Sequence, residues 1–101
     1  MLPPVPVPSR IAPVAVTAYT ATSAAGAGKG AMREAVMQGR SGLRPNDFTP
    51  HPLATWIGRV EGLETPLPAA LAPWDCRNNR LAWLGLNADG FLDAVAGARE
   101  R

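Results

Sequence analysis

Few side chains in this chain carry reaction chemistry: one cysteine, one histidine, and a lysine behind a run of small residues. Cys76 follows Asp75 at the head of a stretch with helical apolar spacing. A helix N-terminus favours a thiolate, but the Asp75 charge beside it disfavours one, and no histidine is close in sequence to act as its base. His51 lies between Pro50 and Pro52, a loop setting in which nothing nearby pairs with the imidazole. The expectation is an incidental thiol and an exposed loop histidine, hence no catalytic residue. One Cys with one His does not supply an ordinary structural zinc site and excludes an internal disulfide, so neither a metal nor a cofactor is expected.

The small-residue run, ATSAAGAGKG at 21–30, has the composition of a phosphate loop but not its spacing. Around Gly28 and Lys29 the pattern G-x-x-x-x-G-K-[ST] would need glycine where Ser23 stands and a hydroxyl where Gly30 stands. The dinucleotide pattern G-x-G-x-x-G holds at Gly26 and Gly28 and fails at Ala31. A helix starting behind such a loop still offers amides to an anion. The favoured reading is a close-packed turn rather than a nucleotide site.

Four elements must position these residues. Residues 14–20 (VAVTAYT) are rich in β-branched and aromatic side chains and predict a strand buried on both faces. From about Lys29, Met32, Ala35 and Val36 recur at helical spacing, with Gly39 as the C′ residue. Residues 40–52 read as loop, residues 53–60 as a second strand, and residues 61–73 as a proline-rich connection with a short turn near 69–71. Asp75 is placed to cap a final helix whose stripe is Leu81, Leu84, Ala88, Leu92, Val95 and Ala96. Gly85 and Gly90 interrupt it, so a kink or two shorter helices broken near 87–90 is an open alternative. Trp56, Trp74 and Trp83 read as packing anchors.

Three of these stretches carry a resemblance. Thr17, Ser23 and Gly26 match T-G-x-G-x-V-S-x-x-G, and Gly39, Arg40, Ser41 and Gly42 match the G-R-S-G-I that follows a helix, in the amino-terminal unit of the β-ketoacyl-acyl-carrier-protein synthases. Residues 54–60 (ATWIGRV) resemble that family's second strand, and residues 74–82 (WDCRNNRLA) resemble the start of its next helix, worded M-D-R-F-x-x-x-A. The resemblance spans residues 14–98. Ala18 and Thr20 stand where the family has glycine, which points to a divergent branch.

The resemblance implies an α/β chain: the opening β-α-β-α segment of a thiolase-like fold, incomplete on its own, over residues 13–101, behind a proline-rich disordered tail at 1–12. It implies an acyltransferase that performs decarboxylative Claisen condensation in fatty-acid, polyketide or polyene synthesis, with its cysteine and two histidines beyond this stretch. An acyl carrier protein would dock on the complete enzyme, and Arg77 and Arg80 are the nearest basic residues to the helix it uses. Residues 65–74 hold no Lys or Arg. A homo- or heterodimer of synthase subunits is expected too. The alternative is a small non-catalytic binding or dimer-modulating protein derived from a synthase.

Composition bounds both readings. Charged residues make up 18% of 101 and hydrophobic ones 47%, a low charge for a free-standing small domain and a hint of surface meant to be covered. An isolated chain of this kind is expected to be partly ordered or aggregation-prone. A net charge of +2, scattered along the chain, argues against nucleic acid. No apolar run is long enough to cross a bilayer, and the prolines at 3, 4, 6 and 8 are unlike a signal peptide, so a cytoplasmic setting is expected. These prolines favour an extended conformation and have P-x-x-P spacing, but a solvated tail is the favoured reading.

Overall fold

Polar tethers, more than a core, hold this chain together. The computed structural model describes residues 2–6, 10–48 and 50–101; part of the proline-rich tail and Thr49 of the 40–52 loop lie outside them. Ala35 and Leu63 are the buried apolar side chains among the described residues, at 3% and 5% exposure. The radius of gyration is 19.7 Å, against about 13 Å for a compact domain of this length. Among the described residues the architecture is a small mixed α/β arrangement of two separate two-stranded hairpins and four helices, with no closed sheet.

The first hairpin lies inside the small-residue run. β1 (Thr22–Ser23) pairs antiparallel with β2 (Gly26–Ala27), Thr22 opposite Ala27 and Ser23 opposite Gly26. The Ser23 hydroxyl accepts the Ala25 amide at 3.1 Å across the turn, and the Thr22 hydroxyl accepts the Gly28 amide at 3.3 Å. Small hydroxyl residues thus satisfy backbone donors that so short a ladder leaves over.

α1 (Gly28–Gln38) follows directly. Its end matches the expected glycine stop: Gly39 is left-handed at φ 62°, its amide donates to the Val36 carbonyl at 3.2 Å, and the Arg40 amide donates to the Ala35 carbonyl at 2.8 Å. Ala35 faces inward, whereas Val36, the next member of the expected stripe, is exposed.

The G-R-S-G stretch then folds back onto the first hairpin. A Cβ at Gly42 would come within 2.7 Å of the Ala24 carbonyl carbon and the Ala25 nitrogen, so only glycine permits this approach. Arg40 Nη1 donates to the Ala25 carbonyl at 3.3 Å from the same side.

β3 (Leu43–Pro45) and β4 (Trp56–Gly58) form the second hairpin, with Leu43 opposite Gly58, Arg44 opposite Ile57 and Pro45 opposite Trp56. Asn46 organises its loop. The side-chain amide donates to the carbonyls of His51 and Leu53, both at 2.7 Å, while its oxygen accepts the Phe48 amide at 3.0 Å.

η1 (Ala69–Trp74), a 3₁₀ helix, precedes α2 (Arg77–Leu86) and α3 (Phe91–Arg99). The two-helix alternative holds, because Asp89 and Gly90 are both left-handed, at φ 60° and 64°, and no α-helix passes through such a pair.

Three expectations are corrected. Residues 14–20 form no strand: Val14 is 89% exposed, and with no neighbouring strand among the described residues their amides have nothing to pair with. Residues 15–18 instead run beside α3, across a shallow groove lined by Phe91 and Val95. The β-α-β-α order becomes two antiparallel hairpins flanking α1, because β4 finds its partner in the segment read as loop, where Pro45 is tolerated on an edge strand. Trp56, Trp74 and Trp83 are not buried anchors, being 65%, 62% and 37% exposed.

Two outcomes follow. The isolated chain should bind a hydrophobic dye and melt over a broad range; a sharp monomeric transition without dye binding would contradict this. Gly42→Ala should weaken the hairpin contact by roughly 1–3 kcal/mol, the usual cost of overpacking, seen as faster hydrogen exchange at the Ala25 and Gly28 amides.

Candidate functional site

The α1 N-terminus, where an anion would bind, already holds one from within the chain. The Lys29 amide and the Thr20 hydroxyl both donate to Asp89 Oδ2, at 2.8 and 2.9 Å. Gly28 has φ 87°, and a Cβ there would approach the Asp89 oxygens at 3.2 and 3.3 Å. The positive φ favours glycine, and the lack of a Cβ leaves the carboxylate room to reach the helix end without shifting. The Lys29 amide, then the Thr20 hydroxyl, hold the Asp89 carboxyl below the ordinary carboxylate range against slight desolvation. Lys29 Nζ itself lies over the Tyr19 ring at 4.5 Å, away from any phosphate-binding geometry.

Cys76 is the N-cap residue of α2, exposed and without a side-chain capping bond. Asp75, expected in that role, is instead engaged by Arg80: Nε donates to Oδ1 at 2.6 Å and Nη2 to Oδ2 at 2.8 Å. The fork-on-carboxylate bond is stronger than a capping bond, which explains the displacement. Arg80 Nη1 also donates to the Leu63 carbonyl at 3.1 Å, and the Leu67 amide donates to Asp75 Oδ1 at 3.3 Å. The Arg80 bond, chiefly, lowers the Asp75 carboxyl, and Asp75 in turn raises the Arg80 guanidinium. Arg80 thus ties the 61–68 connection to α2.

Arg77, one turn away, is placed differently. Its guanidinium stands over the Phe48 ring at 5.1 Å, with Arg59 over the same ring at 5.9 Å. Glu64 Oε1 reaches both, at 3.8 Å from Arg77 and 3.4 Å from Arg59. Asp47 joins Arg44 and Arg59, each at 3.2 Å. Desolvation pushes the Asp47 carboxyl up, but the Arg59 hydrogen bond and the fields of Arg44 and Arg59 outweigh it and leave the carboxyl lowered. His51 packs against Phe48 with ring centroids 5.6 Å apart. Phe48, His51, Arg59 and Arg77 line an open groove of about 330 Å³ together with Leu53 and Ile57.

The structure therefore separates Arg77 and Arg80, one facing a groove and the other engaged inside the chain, and it places His51 beside the first. Phe48, Arg59, Glu64 and Asp89 escaped the sequence reading. The Asp-Gly pair at 89–90 signals a turn, but its partnership with α1 is tertiary and has no local signature. Among the described residues, no cluster of His, Cys, Asp and Glu is arranged to hold a metal ion, and no helix is long and apolar enough to cross a membrane.

Because the folded carboxyl of Asp89 lies below its unfolded value, its contribution to stability is present above the unfolded value and is lost as pH falls through the folded one. The Lys29 amide resonance should titrate with a midpoint below 3.8, and Asp89→Asn should abolish that step. A Lys29 amide that titrates at the ordinary carboxylate value would show the contact to be absent.

Compared with protein families, with curated proteins and with solved structures, the chain finds no match in any of the three.

Proposed function

We propose that this chain is the amino-terminal segment of a divergent β-ketoacyl-acyl-carrier-protein synthase, and that it serves as a packing element of that cytoplasmic enzyme without contributing a catalytic residue. The observation that carries the proposal is the shortage of buried apolar surface. Ala35 and Leu63 are its buried apolar side chains among the described residues, while Val14, Val16, Leu53, Trp56 and Trp74 face outward. Exposed apolar surface on this scale is what a segment presents when other layers are to cover it. The motif residues support the same reading. Gly42 of the G-R-S-G stretch packs on Ala24 and Ala25 of the T-A-T-S-A-A-G stretch, so two sequence-separated pieces of the resemblance act as one unit.

In the complete enzyme the condensation would use a thiolate and two imidazoles from elsewhere, and dimerisation would cover part of the exposed face. Of the two arginines read as carrier-protein contacts, Arg77 has the guanidinium available to grip a carboxylate, since Arg80 is engaged by Asp75.

The test is a condensation assay with acyl- and malonyl-carrier protein. The purified chain should yield no ketoacyl product, and Cys76→Ala should leave the blank unchanged. Turnover that disappears in Cys76→Ala would overturn the non-catalytic role. Reading the coding sequence downstream tests the parentage: a cysteine in a small-residue turn and two later histidines in frame support it, whereas a stop followed by unrelated sequence would sink it and favour a small binding protein.

A further inference from the structure

We infer that the groove between the second hairpin and the start of α2 binds a small organic carboxylate with a flat apolar body, its carboxylate on Arg77 and its body against Phe48, Leu53 and Ile57. The inference does not need the condensing-enzyme reading, although both place a carboxylate on Arg77. It starts from a difference among the arginines. Arg80 donates to a carboxylate and to backbone carbonyls, and Arg59 pairs with Asp47 and Glu64. The Arg77 side chain donates no hydrogen bond among the described residues; its nearest acidic oxygen, on Glu64, is 3.8 Å away, beyond hydrogen-bond length.

Position and chemistry then agree. The Arg77 guanidinium lines the groove and stands over the Phe48 ring at 5.1 Å, a cation–π contact that favours this placement of the planar fork before any ligand arrives. A carboxylate takes such a fork through two parallel N–H···O bonds. Leu53 and Ile57 offer apolar surface in the same groove, and His51 lines it beside Phe48. The Asn46 amide pins the loop at His51 and Leu53, which lowers the ordering cost of binding. A volume of about 330 Å³ sits at the small end of the ligand-pocket range and is enough for a single ring. Glu64, poised between Arg59 and Arg77, is the group with which a ligand carboxylate competes.

The experiment titrates benzoate into the full chain and follows the Ile57 and Arg77 amide resonances, with neutral benzamide and inorganic phosphate as comparison probes. Benzoate should saturate in the millimolar range and bind roughly tenfold more tightly than benzamide, as a charge-assisted bidentate contact requires. Arg77→Met, which keeps the apolar stem, should weaken benzoate about tenfold. Glu64→Gln should tighten it about threefold by removing an exposed competitor. Equal binding of benzamide, unchanged affinity in Arg77→Met, or no saturable response would overturn the assignment. Phosphate binding as tightly as benzoate would overturn it too, as a general anion site. If Arg77→Met loses its helical signal, the Glu64→Gln comparison decides: tightening supports the site and unchanged affinity refutes it.

Discussion

The Asp89 carboxylate on the first turn of α1 is the constraint that ties the start of α1 to the α2–α3 break. It joins residues 60 and 69 positions apart through two hydrogen bonds, beside the shallow apolar groove that residues 15–18 share with α3. Peptide dipoles at the helix start supply the attraction. Three local features make the contact geometrically possible: Gly28 has no Cβ to obstruct the carboxylate, Asp89 adopts a left-handed backbone, and the Thr22 hydroxyl satisfies the Gly28 amide. The α2–α3 break is thus coupled to the start of α1, because Asp89, between Asn87 at the end of α2 and Gly90 at the head of α3, accepts the Lys29 amide.

A second tether works by the same logic between residues 63 and 80. Arg80 gathers Asp75 and the carbonyls of Leu63 and Glu64, fixing an irregular, proline-rich connection against α2. Leu63 is buried there, one of the few apolar side chains that are. Charge-assisted hydrogen bonds are directional and hold geometry well, but they supply less net stability than apolar burial, since water competes for every partner. A chain held in this way keeps a defined path while leaving much of its apolar surface exposed. That combination underlies the packing role proposed for it within a larger α/β body.

The groove near Phe48 belongs to neither tether. Its arginines are shared among carboxylates at longer distances, with one guanidinium left without a hydrogen bond among the described residues. Arg77 and Arg80 thus differ in kind although they lie on one helix three residues apart. Arg80 reaches back to Asp75 and the 61–68 connection, while Arg77 reaches across to the second hairpin.

Sequence by itself determined what is local. Gly39 marks the end of α1, because a left-handed residue that lets the Arg40 amide reach the Ala35 carbonyl is most easily glycine. The failed phosphate-loop spacing, the break near 87–90 and the helical periodicity of α2 and α3 were legible for the same reason: each depends on backbone preference or side-chain spacing within a few residues. Strand pairing was not legible. Residues 14–20 have strand composition and form no strand, whereas Leu43–Pro45 carries a proline and does form one, because a strand exists only when a neighbour supplies its hydrogen bonds. The partners of Asp89, Asp75 and Arg77 were likewise decided by tertiary structure. A carboxylate or guanidinium carries no mark of which distant amide, carboxylate or ring it will meet, and only the folded path of the backbone brings Thr20 and Lys29 to Asp89 and Phe48 to Arg77.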